Sequence, residues 1–301
     1  MKLLKALKNP HLFFERVLWR LAPYIKDDET YLKWDYYFGM RKFPNLKNPQ
    51  SFNEKLQWLK LYNHNPLYTT LVDKLKVKDY VISKIGEEHV IKTLGVWESV
   101  NDIEWNLLPN RFVMKTTQAG GNVGIVICRD KSKLDIEKAK KNIQQGLDYD
   151  LYVRSREWPY KNVKPMIFAE EYMEDEYGEL RDYKFFCFDG KVRALFIATD
   201  RQKREEPYFN FFDENFNPLP MKQGHPVNPV NPERPKGFND MIRVAETLSK
   251  GLPHVRLDLY VISGVVYFGE FTFFHFGANM PFEPEEWDYK FGEWLTLPPK
   301  M

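Results

Sequence analysis

The sequence predicts an α+β protein with antiparallel sheets, and three observations predict it. Apolar residues recur at helical spacing in residues 1–65, 73–85, 134–147 and 240–250. Two pairs of β-rich runs flank tight turns: 183–188 and 192–198 around Asp189-Gly190, and 255–261 and 265–273 around Ser263-Gly264. Helices and strands also lack the regular alternation of a doubly wound parallel sheet.

The elements follow in order. Leu3, Leu4 and Leu7, then Phe13, Phe14, Val17, Leu18 and Leu21, form a helical stripe with Lys2, Lys5, Lys8, Arg16 and Arg20 among them. Such a basic amphipathic segment can dock on a membrane surface, although packing on its own domain is the expectation. Pro44 and Pro49 interrupt the chain. Ser51 with Glu54 three residues later is a capping box that opens a helix through Trp58 and Leu61. Residues 73–85 make a helix stopped by Gly86. Val90-Ile91 and Val96-Trp97 read as short strands. Residues 111–115 and 125–128 are β-rich and flank a glycine-rich loop, 116–124. A helix over 134–147 precedes a strand at 166–169 and an acidic stretch over 170–179. Residues 205–238 hold many of the 20 prolines and read as a long loop, expected to act as a lid.

Composition narrows the function. Hydrophobic residues make up 43% and aromatic residues 16% of 301, which excludes a disordered chain. Lys plus Arg number 44 against 42 Asp plus Glu, and the two signs interleave. No nucleic-acid partner is therefore expected, because such binders concentrate basic charge. Cys128 and Cys187 sit in separate apolar runs, which supports buried thiols in a reducing compartment. No apolar run approaches the ~20 residues of a membrane span, and the first residues lack the continuous apolar stretch of a signal peptide. A cytoplasmic protein is expected.

Two constellations carry chemistry. The loop 116–124 joins two strands, whereas Walker and dinucleotide-binding loops open a helix. A glycine-rich hairpin can offer backbone amides to phosphates, with Lys115 at its entry. The plain alternative is a flexible turn with a surface lysine. The second constellation pairs Arg256 and Asp258 on one strand with Glu270 and Thr272 on the next, each pair sharing a face. Carboxylates in apolar strands need partners. They read either as a magnesium site or as an ion pair of Arg256 with Asp258 or Glu270. His11, His64, His89, His225 and His254 show no metal spacing; His275 follows the second strand closely enough to reach a substrate.

Several segments then resemble the ATP-grasp superfamily. Residues 73–78 resemble its D-K-x-x-x-K helix start, and 112–115 with the glycine loop resemble its V-x-V-K-P…G-S-S-x-G segment. Residues 169–173 resemble the hinge that receives adenine, and 182–184 the D-x-R step. Asp258 with Glu270-Phe271-Thr272 resembles the D…E-x-N metal triplet. The chain looks closer still to the TupA-like (teichuronopeptide biosynthesis) branch, through 51–58, 182–186 and 285–288, with the resemblance covering roughly 45–298. It departs from the family at Thr117-Gln118-Ala119-Gly120-Gly121, at Thr272 in place of Asn, and at 273–277.

The resemblance implies two α+β lobes of an ATP-grasp fold, over 71–165 and 166–301, plus an N-terminal helical extension over 1–70. Lys74, Lys115, Gly120 and Gly121 would bind the phosphates of ATP. Glu170 and the backbone near Met173 would read adenine, and Asp182 would take ribose. Asp258, Glu270 and Thr272 would hold Mg2+. Lys184 and Arg256 would be catalytic cations, with Arg193 and Arg201 as further cations for an acidic substrate. The implied reaction is ATP-dependent ligation of a carboxylate to an amine through an acylphosphate. An acidic sugar or amino acid is the implied substrate, in modification of a bacterial surface polysaccharide or its precursor. The rivals are an ATP-grasp kinase, a glycosyltransferase, whose usual metal motif is D-x-D, and an assembly partner that touches the inner membrane through the basic N-terminal helix.

Overall fold

The computed structural model describes residues 10–121, 123–178, 180–200, 204 and 206–301. Leu3, Leu4, Leu7, the three lysines among them and Arg201 lie outside the described residues. Five helices come first: α1 (Pro10–Leu21), α2 (Asp28–Met40), α3 (Phe52–Tyr62), α4 (Leu67–Val72) and α5 (Val77–Ile85). Strands β1 (Thr93–Trp97), β2 (Phe112–Thr116) and β3 (Val126–Cys128) lead into α6 (Ile136–Leu147) and α7 (Leu151–Ser155). Next come β4 (Ile167–Glu171), β5 (Asp182–Phe188), β6 (Lys191–Thr199), β7 (Tyr208–Asp213), β8 (Lys222–Gln223) and α8 (Phe238–Ser249). The chain ends with β9 (His254–Ile262), β10 (Val265–Thr272), β11 (Phe282–Glu283) and α9 (Glu286–Trp294).

The strands form a four-stranded sheet in the order β1-β4-β2-β3, a five-stranded sheet in the order β10-β9-β5-β6-β7, and a two-stranded pair β11-β8. Every pairing is antiparallel. Local chemistry accounts for the boundaries. Both halves of the Ser51/Glu54 capping box form, and Asp27 and Asp135 cap α2 and α6 through bonds of 3.0 Å from the Thr30 and Lys138 backbone N–H. Both hairpin turns carry two residues at positive φ: Asp189 (47°) with Gly190 (74°), and Ser263 (51°) with Gly264 (83°).

The larger core lies on the five-stranded sheet under α3, α8 and α9, and it is aromatic, with Phe185, Phe186, Phe196, Phe211 and Phe291 fully buried. A smaller core joins the four-stranded sheet to α6 through Phe112, Met114, Ile143 and Ile167. The N-terminal helices clasp the end of the chain. Lys55 Nζ donates to Gly292 O (2.8 Å) and Leu295 O (2.9 Å), and Asn53 Nδ2 to Asp288 Oδ1 (3.0 Å).

Three expectations need correction. The proline-rich segment is not a free lid. Its β7 pairs with β6 along Tyr208–Asp213, Phe209, Phe211 and Phe212 are buried, and β8 pairs with β11. Asn210 pins the prolines that follow, donating to Asn228 O (2.9 Å) and Asn231 Oδ1 (2.8 Å). Val90-Ile91 is not a strand; β1 begins at Thr93. Lys74 lies in the turn before α5 rather than inside a helix.

Gly146 of α6 packs backbone to backbone on Gly124 at the end of the glycine loop. A Cβ at Gly146 would lie 2.5 Å from Gly124 Cα and 2.8 Å from Thr116 Oγ1. Gly146→Ala gains up to ~1 kcal/mol of helix propensity, but it overpacks a backbone contact at a cost of about 1–3 kcal/mol or more. A lower urea midpoint is therefore expected; a higher one would show that the loop and α6 can separate freely.

Candidate functional site

The two larger sheets face each other across a cleft. Strand alternation explains which side chains enter it. On β2, Phe112, Met114 and Thr116 are buried, so Val113 and Lys115 take the opposite face. On the other wall, β5, β9 and β10 lie side by side, with Lys184 opposite Asp258, Asp258 opposite Glu270, and Arg256 opposite Thr272. A bulge between Phe268 and Glu270 sets that last register. It falls at Gly269, where a Cβ would come within 2.8 Å of Asp258 O.

Two cavities share this cleft. The narrower, of about 120 Å³, is lined by Lys74, Lys78, Lys115, Lys184, Glu170, Asp182, Asp258 and Glu270, with Gly121 at its edge. The larger, of about 730 Å³, is bounded by Val113, Ile127, the hinge Glu171-Tyr172-Met173, Leu180 and Tyr260. Lys115, Ile125, Glu170 and Lys184 line both. The volume and apolar walls of the larger cavity suit a small organic ligand.

The lysines differ in what they have left to offer. Lys78 spends its three protons on Ile91 O (2.8 Å), Thr93 Oγ1 (2.8 Å) and Glu170 Oε1 (2.6 Å). Lys74 donates to Ala119 O at 2.6 Å, and Lys115 pairs with Glu170 Oε2 at 2.7 Å. Those are their partners among the described residues, so each ammonium keeps donors to spare beside the same cavity. Burial lowers the pKa of Lys74, with Glu270 acting against it. Burial opposes ionisation of Glu170, yet Lys115 and Lys78 hold its carboxyl below the usual range. Glu170 thus directs both oxygens at lysines, and the hinge that borders the larger cavity is its neighbours 171–173.

Asp258 is 1% exposed and lies between two cations. Arg256 Nε meets its Oδ1 at 2.7 Å and Arg256 Nη2 its Oδ2 at 2.8 Å; Lys184 Nζ also bonds Oδ2. Burial alone would raise the pKa of Asp258, but Arg256 and Lys184 lower it. Arg256 Nη2 also donates to Thr272 Oγ1 at 2.9 Å and lies 3.5 Å from Glu270 Oε1. Its Nη1 lies 2.7 Å from His275 Nδ1. Arginine only donates, so His275 Nδ1 accepts and its Nε2 carries the proton, which goes to Gln223 Oε1 at 3.0 Å. Gln223 Nε2 ends the relay on Met280 O at 3.0 Å. His275 is 1% exposed and serves Arg256 from behind, so of the two readings of this residue the structure favours the supporting one over substrate contact.

The expected residues therefore sort by position. Lys74, Lys115, Gly121, Glu170, Asp182, Lys184, Asp258 and Glu270 line the narrower cavity, and Met173 lines the larger. Arg256 and Thr272 sit behind Asp258 and Glu270, Gly120 turns toward Leu151, and Arg193 is exposed near a hairpin tip. Lys78, Gln223 and Tyr260 were not among the expected site residues. Lys78 had a signal, as the second lysine of the D-K-x-x-x-K pattern; Gln223 had none.

Among the described residues, no three His, Cys, Asp or Glu side chains group as a metal site. The donors still fit one magnesium ion. Glu270 lines the cavity and engages only Oε1, and Asp258 keeps a lone pair on Oδ1. Magnesium commonly takes one or two carboxylates and fills its shell with water and phosphate oxygens. Thr272 Oγ1 is already committed to Arg256.

The facing antiparallel sheets, the lysine-lined cleft and the hinge define an ATP-grasp fold. A model of the family described as TupA-like ATPgrasp matches residues 54–296, and the chain belongs to that family. No curated protein matches the chain. Among solved structures, it is similar to D-alanine–D-alanine ligase from Bacillus anthracis complexed with ATP (12% identity, 74% of this chain, 62% of that one, TM-score 0.43). It is also similar to D-alanine–D-alanine ligase from Helicobacter pylori (13%, 82% and 70%, TM-score 0.42) and to an ADP complex of N5-carboxyaminoimidazole ribonucleotide synthetase (14%, 72% and 49%, TM-score 0.43). The chain thus spans about 62% of the length of the first of these ligases.

Two outcomes follow from the buried charges. Asp258→Asn leaves Arg256 and Lys184 without their anion and should cost about 3–5 kcal/mol. Adding Lys184→Met should cost less than the sum of the two single changes, because they share one interaction; strict additivity in urea titrations would refute the coupling. The second outcome concerns acid. Burial pushes His254 down to about 3 from an ordinary 6.5. A lowered folded pKa means that its stabilisation is present above the unfolded value and is lost as pH falls from 6.5 toward 3. His254→Phe should flatten the pH dependence of the denaturation midpoint in that window; an unchanged slope would mean that His254 titrates normally.

Proposed function

We propose that the chain is an ATP-dependent ligase that activates the carboxylate of an acidic sugar or amino acid and joins it to an amine, in modification of a bacterial surface polysaccharide or its precursor. One observation carries the nucleotide part. Lys74 and Lys115 hold spare N–H donors over one narrow cavity that opens into a larger apolar one beside Met173. The base would occupy the larger cavity, with Asp182 toward the ribose and the two lysines toward the phosphates. Glu170 holds Lys115 in position, while Lys78 braces Glu170.

Glu270 and Asp258 would hold a magnesium ion, which when bound would neutralise charge on the transferring phosphoryl group. Lys184 and Arg256 supply the fixed positive charge of this end of the cleft. Lys184 lines both cavities and can draw in a substrate carboxylate. Arg256, fixed by Thr272 and His275, acts from behind Asp258 and holds that carboxylate in place at the cavity wall. Activation as an acylphosphate turns a poor leaving group into phosphate, which an amine can displace.

The test follows phosphate release with uronic acids or amino acids, alone and with amines. A ligase releases phosphate only when carboxylate and amine are both present, and hydroxylamine traps the activated acyl group. Phosphate retained on the acceptor would mean a kinase, and sugar transfer without ATP would mean a glycosyltransferase. Lys115→Ala should weaken ATP binding by roughly tenfold or more, through loss of a charge-assisted bond. Glu270→Gln should leave a folded protein without magnesium-dependent turnover. Normal ATP affinity in folded Lys115→Ala would reject the nucleotide assignment.

A further inference from the structure

Asp258 meets one more cation than its charge requires. It carries a single negative charge and bonds both the Arg256 guanidinium and the Lys184 ammonium. The two cations are held very differently. Besides Asp258, Arg256 is fixed by His275 Nδ1 at 2.7 Å and Thr272 Oγ1 at 2.9 Å. Lys184 stands on a flexible four-carbon stem. Its partners among the described residues are two carboxylates, Asp258 and Asp182, the second with Oδ2 3.5 Å from Nζ. Asp182 lies two residues earlier on β5 and therefore on the same face. One ammonium thus has two seats, and both are buried carboxylates.

Strand register shows what would move it. Lys184 lies opposite Asp258, and Asp258 lies opposite Glu270, so the three form one row across β5, β9 and β10. A divalent cation held by Asp258 and Glu270 would share Asp258 with the ammonium. The narrower cavity is already balanced, with Lys74, Lys78, Lys115 and Lys184 against Glu170, Asp182, Asp258 and Glu270. Further positive charge on Asp258 would meet like charge where salt screens little. Arg256 is tied on three sides and cannot withdraw. Lys184 can, toward Asp182. The β6 partner of Asp182 is Ala198, which lines the larger cavity, as does Lys184 itself. We infer that Lys184 competes with a divalent cation for Asp258 and yields to it by turning to Asp182. Lys184 is then a determinant of metal affinity, and metal binding frees its ammonium for an anionic ligand in the larger cavity. The inference rests on the reading of Asp258 and Glu270 as the magnesium carboxylates.

The test titrates the full chain with Mn2+ and follows free and bound ion by electron paramagnetic resonance. Lys184→Met should bind Mn2+ roughly tenfold or more tightly than the wild type, the size of effect a neighbouring charge has on proton binding by a carboxylate. Lys184→Arg keeps the charge and should gain nothing. Glu270→Gln should weaken binding with either residue at 184, which marks the ion as the one this site holds. A second readout needs no change at Lys184. Its acetylation by acetic anhydride, followed by peptide mass spectrometry, should quicken when Mg2+ is added to the wild type and not to Glu270→Gln. Equal or weaker Mn2+ binding by folded Lys184→Met, with Glu270→Gln still lowering it, would overturn the competition and leave the metal site standing. No Mn2+ binding, or binding that Glu270→Gln leaves unchanged, would overturn the metal reading and the inference with it. Unchanged acetylation of Lys184 at saturating Mg2+ would overturn the inference even if Lys184→Met fails to fold.

Discussion

A buried carboxylate cannot stand alone, and Asp258 is held by two cations. Its two oxygens hold the Arg256 guanidinium and the Lys184 ammonium, and those cations come from two different strands. Isolated ions lose their hydration on burial at a cost of several kcal/mol each. Their mutual pairing lets three charges sit on one wall of the cleft as a single rigid unit. Arg256 then extends the unit, reaching Thr272 on β10 and His275 beyond it. Three adjacent strands and the turn after β10 are therefore locked in one register by polar contacts as well as by the ladder.

The opposite wall repeats the logic with the same signs. There, one buried carboxylate, Glu170, sits between Lys78 and Lys115. Lys78 is saturated by Ile91 O and Thr93 Oγ1, so it serves as a brace. Lys115 is not saturated, and neither is Lys74. The division between spent and unspent donors separates lysines that hold the site from lysines that can take a ligand. Charge counting alone would treat them alike.

The relay behind Arg256 shows how far support for the site extends. Met280 O, Gln223, His275 and Arg256 form one directional chain of hydrogen bonds, and each member dictates the orientation of the next. Burial and the nearby arginine hold His275 well below the ordinary imidazole range, so it stays an acceptor toward Arg256. Gln223 belongs to β8, in the middle of the segment expected to be a lid. That segment is instead part of the scaffold that orients the cleft. The N-terminal helices contribute to the same end of the molecule, since Gln57 donates to Ala278 O (3.2 Å) and Asn279 Oδ1 (2.7 Å) in the turn after β10.

Local sequence determined what depends on neighbours along the chain. The Ser51/Glu54 box, the Asp189-Gly190 turn, the helical period around Ile143 and the alternation around Lys115 are all short-range signals, and each element stands where they put it. The residue pattern named Lys115, Asp258 and Glu270, and the resemblance to ATP-grasp motifs added Lys74, Glu170 and Lys184; all six line one cavity. The tertiary structure decided what those side chains spend their bonds on. Lys184 meets Asp258 across 74 positions, and Arg256 meets His275 only because a bulge at Gly269 sets the register of β10. The strand Tyr208–Asp213 was hidden because the prolines around it are turn signals, and its pairing depends on β6 rather than on its own flanks. Pairing partners, register and the number of donors left unspent are properties of distant segments brought together, and no window of the sequence contains them.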